Sequence, residues 1–217
     1  RGLGDVYKRQ APITAIALNC ENNRDERSRY LLVENRKVEN YVDMALYYAR
    51  MDAVYKDYMI AETNLQEVAQ QVLLQNKYYL IQSHVKAEVA CPDTVYSDKK
   101  WIAFILNQLI QNSVKYGRSE GTHIQIVTKK TKSGVLLRVK DDGIGIPKEE
   151  IPRIFEKGFT GTNGRNRERS TGMGLYLCRK LCDKLNIEIR AESAEGKGTE
   201  IILMFPVSDY LTGYRET

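Results

Sequence analysis

The stretch Val139-Lys-Asp-Asp-Gly-Ile-Gly-Ile-Pro147 constrains this chain more than any other. An apolar run from Val135 to Val139, interrupted by Arg138, reads as a strand, and the carboxylates Asp141 and Asp142 follow at its end. Gly143 and Gly145 let the backbone turn sharply and leave empty the space that side chains would fill. A carboxylate at a strand end, beside a turn bare of side chains, can hold a flat polar ligand. A plain Asp-Gly turn with no ligand is the competing reading of this stretch alone. Its surroundings decide between the two.

A length of 217 residues allows one large or two small domains, and 42% hydrophobic with 28% charged residues reads as a soluble globular chain. The net charge of +5 comes without a basic run or an aromatic-interleaved strip, so no nucleic-acid partner is expected. Cys20, Cys91, Cys178 and Cys182 contain no CxxC and no zinc-finger spacing. Cys178 and Cys182 share a helix face and could supply two metal ligands, but small buried thiols in a reducing compartment are the plainer reading. The unbroken apolar runs fall well short of the ~18 residues that a membrane span needs.

Residues 1–10, Arg-Gly-Leu-Gly-Asp-Val-Tyr-Lys-Arg-Gln, do not match the pattern that follows and read as an expression or sequence-assembly scar. Pro12 suits a first helical turn, and Ile13, Ile16, Ala17 and Cys20 mark one helical face. After the polar break Asn22 to Arg27, a longer helix is expected from Ser28 to Ala53, with Leu31, Val38, Tyr41, Val42, Ala45, Tyr48 and Ala49 as its stripe. So narrow a hairpin, residues 11–56, cannot bury its stripe alone. A second copy completing a four-helix bundle, or packing on the chain's own C-terminal part, would cover it.

Asp57 to Glu62 reads as a short strand, Thr63 or Asn64 as the cap of a helix from Leu65 to Gln82, and His84 to Ala90 as a strand. His84 and His123 are lone histidines on expected strands and read as structural or surface groups. Asp98 to Tyr116 reads as a helix with two faces. Trp101, Ile102, Ile105, Leu109 and Ile110 form its buried stripe, and Gln108, Asn112, Lys115 and Tyr116 a polar one. Two amides, a cation and a phenol in line suit a phosphate with a divalent ion, although most polar stripes are simply solvated. Thr122 to Lys129 and Gly134 to Lys140 alternate as a hairpin. The run Thr160 to Thr171 has no hydrophobic residue, carries Arg165, Arg167 and Arg169, and reads as a lid over phosphates. A helix from Met173 to Leu185 would turn its N-terminal amides toward the same place. A hairpin of Ile187 to Glu192 and Thr199 to Phe205, around Gly196-Lys-Gly198, closes the domain.

The ordered set Asn112-Ser-Val-Lys-Tyr, Asp141-Asp-Gly-Ile-Gly, Phe155-Glu-Lys-Gly-Phe, Gly172-Met-Gly-Leu and Gly196-Lys-Gly-Thr resembles the N, G1, F, G2 and G3 boxes of the sensor histidine kinase ATP-binding domain. That family belongs with gyrase, Hsp90-type and MutL ATPases in the GHKL superfamily. The likeness runs from about Asp57 to Pro206, and Pro12 to Met51 resembles the dimerisation and phosphotransfer hairpin of the same kinases. Ala45-Leu-Tyr-Tyr-Ala-Arg, Asp98-Lys-Lys-Trp and Phe155-Glu-Lys-Gly-Phe-Thr-Gly most resemble the intramembrane-sensing kinases of Firmicutes that work with peptide-antibiotic ABC transporters.

The resemblance implies an α/β fold, a two-layer sandwich of Bergerat type at 57–208 with a mixed sheet covered by helices on one face. A dimerising helical hairpin would precede it and a tail at 209–217 follow it. It implies ATP and Mg²⁺ as cofactors, with a second copy, a response regulator and, through a membrane region, an ABC transporter as partners. The chain would be the cytoplasmic domain of a cell-membrane protein. Asp141 would accept from the adenine amino group, supported by Thr199 through water, with Ile146, Tyr116 and Leu175 lining the base. Asn112 would hold Mg²⁺ with Gln108 beside it, and Lys115 would meet phosphate. Gly172 and Gly174 would let the lid approach the triphosphate, with one of Arg165, Arg167 and Arg169 at the γ-phosphate, and Gly143, Gly145, Phe159 and Met173 complete the cofactor-binding set with Arg165. The family's His-Glu-x-Lys-x-Pro motif is broken, because counting back from Pro12 puts Tyr7 where the phospho-accepting histidine stands. A phenol with a pKa of about 10 cannot replace an imidazole. The chain is therefore expected to bind ATP without phosphorylating itself at that position.

Overall fold

A computed structural model of the chain describes residues 16–17, 20, 26–50, 59–162 and 171–207, in two units divided between Lys56 and Asp57. In the first unit, helix α1 spans Glu26–Arg50. Val33 and Met44 are buried, eleven positions apart and hence on one face. Of the expected stripe, Leu31, Val38 and Tyr41 are exposed, at 43%, 50% and 49%; Leu31 and Val38 lie well round the helix from that buried face and Tyr41 nearer to it. Of the face expected in the first helix, Ile16 is exposed and Cys20 buried; Pro12 and Ile13 lie outside the described residues, as do Met51 to Ala53 at the far end of the second helix.

In the second unit, β1 (Ala61–Asn64), α2 (Leu65–Gln75), α3 (Lys77–Gln82), β2 (Val85–Ala90), β3 (Thr94–Ser97) and α4 (Lys99–Lys115) come first. They are followed by β4 (Thr122–Thr131), β5 (Gly134–Asp141), α5 (Gly174–Lys184), β6 (Glu188–Ala194) and β7 (Gly198–Pro206). Strands β2-β4-β5-β7-β6 form one mixed sheet, parallel only between β2 and β4, and β1 pairs with β3 in a separate ribbon. Ile124, Ile126, Leu137, Val139, Ile201 and Leu203 bury one face of the sheet, together with Ile102, Ile105, Leu106, Leu109 and Ile110 of α4. The alternation pins the register, since a one-residue slip would turn that apolar face to water. On the other face Ile202 is flanked in register by Arg138 and Arg190, and Arg138 reaches Glu200 through two hydrogen bonds of 2.9 and 2.7 Å. The arginine stems shelter Ile202 on a face where apolar Val127, Leu136 and Met204 stand among charged side chains.

Helix α4 starts where it does because Asp98 caps it. Its Oδ1 accepts from the Lys100 and Trp101 N–H groups at 2.9 and 3.3 Å, and its Oδ2 from the Met59 N–H at 2.8 Å. Asn64 caps α2 through the Glu67 N–H. Two expectations are corrected. The helix expected from Leu65 to Gln82 breaks at Asn76, a buried residue whose Nδ2 donates to Val72 O and to Asn107 Oδ1 on α4, both at 2.8 Å. A side chain that competes for backbone carbonyls interrupts a helix in this way. The strand expected over Asp57–Glu62 instead occupies Ala61–Asn64, paired with Thr94–Ser97.

Candidate functional site

Asp141 is the last residue of β5, in register with Ile124 on β4 and Thr199 on β7. It is buried, and its carboxylate is held from three sides. Oδ2 accepts from the Ser113 hydroxyl of α4 at 2.8 Å, while Oδ1 accepts from the Gly143 and Thr199 N–H groups at 3.0 and 3.2 Å. Burial pushes its pKa above the ordinary carboxylate value, opposed by those three hydrogen bonds and reinforced by the nearby Asp142 charge. Asp142 turns the other way, and its Oδ1 accepts from the His123 N–H at 2.7 Å. Of two adjacent carboxylates, one faces a cavity and the other ties down the edge of β4.

The loop after Asp141 is anchored rather than loose. Ile144 N donates to Tyr116 O at 3.0 Å, Ile144 O accepts from Gly196 N at 2.7 Å, and Ile146 N donates to Ser193 Oγ at 2.9 Å. Arg118, just past α4, donates through Nε to Asp142 O at 2.8 Å and through Nη2 to Gly196 O, fastening this loop to the β6–β7 turn. Gly145 has φ +71, and a Cβ there would stand 2.0 Å from Ala194 O, so only glycine fits.

Asp141 lines a cleft that is open at its mouth, with about 780 Å³ of empty space counting the solvent it opens to. Tyr116, Ile146 and Leu175 line it, as do Asn112, Gly145, Phe159 and Thr199. Val139 and Ile201 add apolar wall. Gly143 lies behind Asp141, where a Cβ would stand 2.9 Å from its Oδ1. The cleft is therefore apolar-sided around a buried acceptor, the shape that takes a flat ring carrying a donor. Because Leu175 lines it, the first turn of α5 lies beside the cleft.

Other expected site residues stand elsewhere. Lys115 is absent from the lining, and its Nζ lies 6.0 Å from the centre of the Tyr116 ring. Gln108, expected beside Asn112 on a polar stripe, is buried, with its Oε1 2.9 Å from where a Cβ on Gly174 would stand. It packs under the start of α5 instead of opening to the cleft. Gly172 packs on Gly158, whose N–H donates to Gly172 O at 3.0 Å, and Met173 precedes α5. Tyr7, Arg165, Arg167 and Arg169 lie outside the described residues. Cys178 and Cys182 are buried, with the Cys182 thiol pushed up to about 12 chiefly by burial. Among the described residues no group of three or more His, Cys, Asp or Glu side chains could hold a metal ion.

Sequence reasoning passed over Ser113, Ser193, Arg118 and Glu150. Ser113 carries a usable signal, since Leu109, Ser113 and Tyr116 follow i, i+4, i+7 spacing and a serine in that line faces the cleft. Glu150 lines the cleft, and its Oε1 accepts from the N–H and hydroxyl of Thr162 at 2.8 and 2.6 Å.

Residues 97–209 match the family described as histidine kinase-, DNA gyrase B-, and HSP90-like ATPase. The sensor histidine kinase YxdK of Bacillus subtilis (strain 168) is 32% identical over 202 residues, covering 92% of this chain and 62% of YxdK. The sensor protein kinase GraS of Staphylococcus aureus (strain JH1) is 35% identical over 210 residues, covering 94% of this chain and 59% of GraS. The chain thus spans about three fifths of the length of these curated relatives. A nucleotide-free catalytic domain of histidine kinase ThkA matches with a TM-score of 0.59 and 26% identity, over 68% of this chain and 97% of that one. ThkA solved in complex with response regulator protein TrrA matches with a TM-score of 0.60 and 23% identity, over 96% of this chain and 63% of that one. The expected likeness to sensor kinases of Firmicutes is borne out, and so is the helix-covered mixed sheet. With more than half its length inside that match and relatives about one third identical along nearly all of it, the chain belongs to the histidine kinase-, DNA gyrase B-, and HSP90-like ATPase family.

Proposed function

We propose that this chain is the ATP-binding catalytic part of a two-component sensor histidine kinase. The observation that carries this is Asp141, a buried carboxylate fixed as an acceptor in the wall of an apolar-sided cleft. An adenine amino group would donate to it, whereas guanine would turn a carbonyl toward it, so ATP is favoured over GTP. Tyr116, Ile146 and Leu175 would hold the ring. Asn112 offers one amide oxygen on the cleft wall, enough for Mg²⁺ when phosphates and water supply the other ligands. That ion would neutralise charge on the triphosphate. Lys115 would need to swing from the Tyr116 ring to meet phosphate, and one of Arg165, Arg167 and Arg169 would approach from the lid.

The γ-phosphoryl group would pass from ATP to a histidine nitrogen, releasing ADP, and then to an aspartate oxygen of a response regulator. Two observations favour transfer over independent hydrolysis. Gln108 is buried away from the cleft, and Glu150 at the cleft wall already accepts two hydrogen bonds from Thr162. Neither is placed to activate water. Residues 11–56 would be the dimerising hairpin, 57–208 the catalytic domain, and 209–217 a tail. The exposed line of Leu31, Val38 and Tyr41, with Leu31 and Val38 seven apart, suits a second copy. The parent would lie in the cell membrane and signal with an ABC transporter; no described helix is long and apolar enough to cross a membrane.

Calorimetry with Mg²⁺ tests the reading, using this chain and a version whose residues 7–11 are rewritten as His-Glu-x-Lys-x before Pro12. The expected result is ATP binding by both, little GTP binding, and acid-labile phosphorylation of the rewritten chain alone. Absence of ATP binding sinks the nucleotide assignment. ATP binding without phosphorylation of either chain leaves a nucleotide-binding scaffold.

A pH dependence follows. Because the Asp141 pKa is raised, ATP binding should be complete above that raised value and be lost as pH falls through it. Ser113→Ala removes a hydrogen bond that favours the charged form, so the acid limb should move to higher pH. ATP affinity measured against pH in both proteins checks this, and coincident acid limbs would show that the serine does not act on the carboxylate.

A further inference from the structure

Ser193 on β6 sits behind the cleft wall and makes three hydrogen bonds with one proton. Its Oγ accepts from the Ile146 N–H at 2.9 Å, donates to Gly198 O at 2.7 Å, and lies 3.0 Å from Thr199 Oγ1. A carbonyl oxygen cannot donate, so the serine proton is committed to Gly198. The bond between the two hydroxyls must then be donated by Thr199. With its proton turned back toward Ser193, Thr199 offers only lone pairs to the cleft that it lines.

The carboxylate beside it is limited in the same way. Asp141 accepts a hydrogen bond from the Ser113 hydroxyl on Oδ2 and from two backbone N–H groups on Oδ1, one of them that of Thr199 itself. Asp141 and Thr199 are therefore both acceptors toward the cleft, one by its charge and the other because of Ser193.

We infer that Ser193 is a positioning residue for base selection: by fixing the direction of the Thr199 hydroxyl it makes the cleft select a purine with an amino group at position 6 over one with a carbonyl. This rests on the nucleotide reading of the cleft. Without Ser193, the Thr199 hydroxyl rotates freely, can point its proton into the cleft, and can donate to a 6-carbonyl. Selectivity then falls back on Asp141 alone.

The experiment compares affinities for ATP and ITP, in which the 6-amino group is replaced by a carbonyl and N1 gains a proton. Calorimetry is run on the unaltered chain, Ser193→Ala, Ser193→Thr, Thr199→Val, the Ser193→Ala/Thr199→Val double variant, and Asp141→Asn. In Ser193→Ala the ATP-to-ITP affinity ratio should fall about tenfold, the worth of one correctly directed hydrogen bond. Ser193→Thr, which keeps a hydroxyl, should restore it. Ser193→Ala should leave the ratio unchanged when Thr199 is already valine, because the serine acts through that hydroxyl. The ratio is unaffected by a uniform loss of folded protein, and Thr199→Val tests the same wiring if Ser193→Ala folds poorly. An equal loss of ATP and ITP in Ser193→Ala, or a further shift in the valine background, overturns the inference while leaving the nucleotide reading intact. Unchanged ATP affinity in Asp141→Asn overturns both.

Discussion

Asp141→Asn should lower ATP affinity by about a hundredfold or more, the worth of a charge-assisted hydrogen bond replaced by a misdirected donor, without loss of thermal stability. An asparagine oxygen can take over Oδ1 and keep both backbone N–H donors, from Gly143 and Thr199. The amide nitrogen then replaces Oδ2, and the Ser113 hydroxyl turns round to accept from it. Every partner inside the protein is satisfied, yet the group facing the cleft has changed from acceptor to donor. The stability sign follows from the raised pKa of Asp141. The stabilising contribution of a carboxyl whose folded pKa is raised is present at low pH and lost as pH rises through that value. At neutral pH its ionised form is therefore a cost, which a neutral amide removes. Melting at neutral pH should give an equal or higher Tm for Asp141→Asn. Unchanged ATP affinity would remove the adenine assignment, and a collapsed Tm would show that the carboxylate holds the fold.

What the sequence made legible was local or periodic. The strand that delivers Asp141, the two faces of α4 and the two hairpins each announce themselves within a window of about ten to twenty residues, through alternation, helical spacing and glycine turns. What escaped depends on partners far along the chain. The pairing of β1 with β3 joins Ala61 to Ser97, and the break at Asn76 needs Asn107 on another helix. The grip of Ser113 on Asp141 spans 28 positions. Gln108 is the instructive miss. Its spacing from Asn112 and Lys115 is right for a shared face, but that face runs under the start of α5 before it reaches the cleft, so the same stripe is buried at one end and open at the other. Helical periodicity gives the angle of a side chain round its own axis; only the tertiary neighbour decides whether water or protein lies in that direction.

The two glycines of the β6–β7 turn should respond to alanine very differently, although the sequence Gly196-Lys-Gly198 treats them alike. Both have positive φ, +73 and +88, so alanine is conformationally unfavourable at either by about 1–2 kcal/mol. At Gly196 a Cβ would meet nothing within 4 Å. At Gly198 it would stand 2.0 Å from Asp141 O and 2.8 Å from Asp142 Cα, both backbone atoms at the end of β5. Neither can move unless β5 and β7 part where Asp141 pairs with Thr199. Gly198→Ala therefore carries a packing cost on top of the dihedral one, together about 3 kcal/mol or more. That corresponds to a fall of roughly 10 °C in Tm for a domain of this size. Because the strands part at Asp141, the residue proposed to accept from adenine, ATP affinity should fall with it even at temperatures where the variant is fully folded. Gly196→Ala should lose only a few degrees and keep its affinity, since the bonds of Gly196 to Ile144 and Arg118 come from its backbone. Thermal melting and calorimetry on the two single variants check this, and equal losses at the two positions would mean that the close approach of Gly198 to Asp141 does not hold the site together.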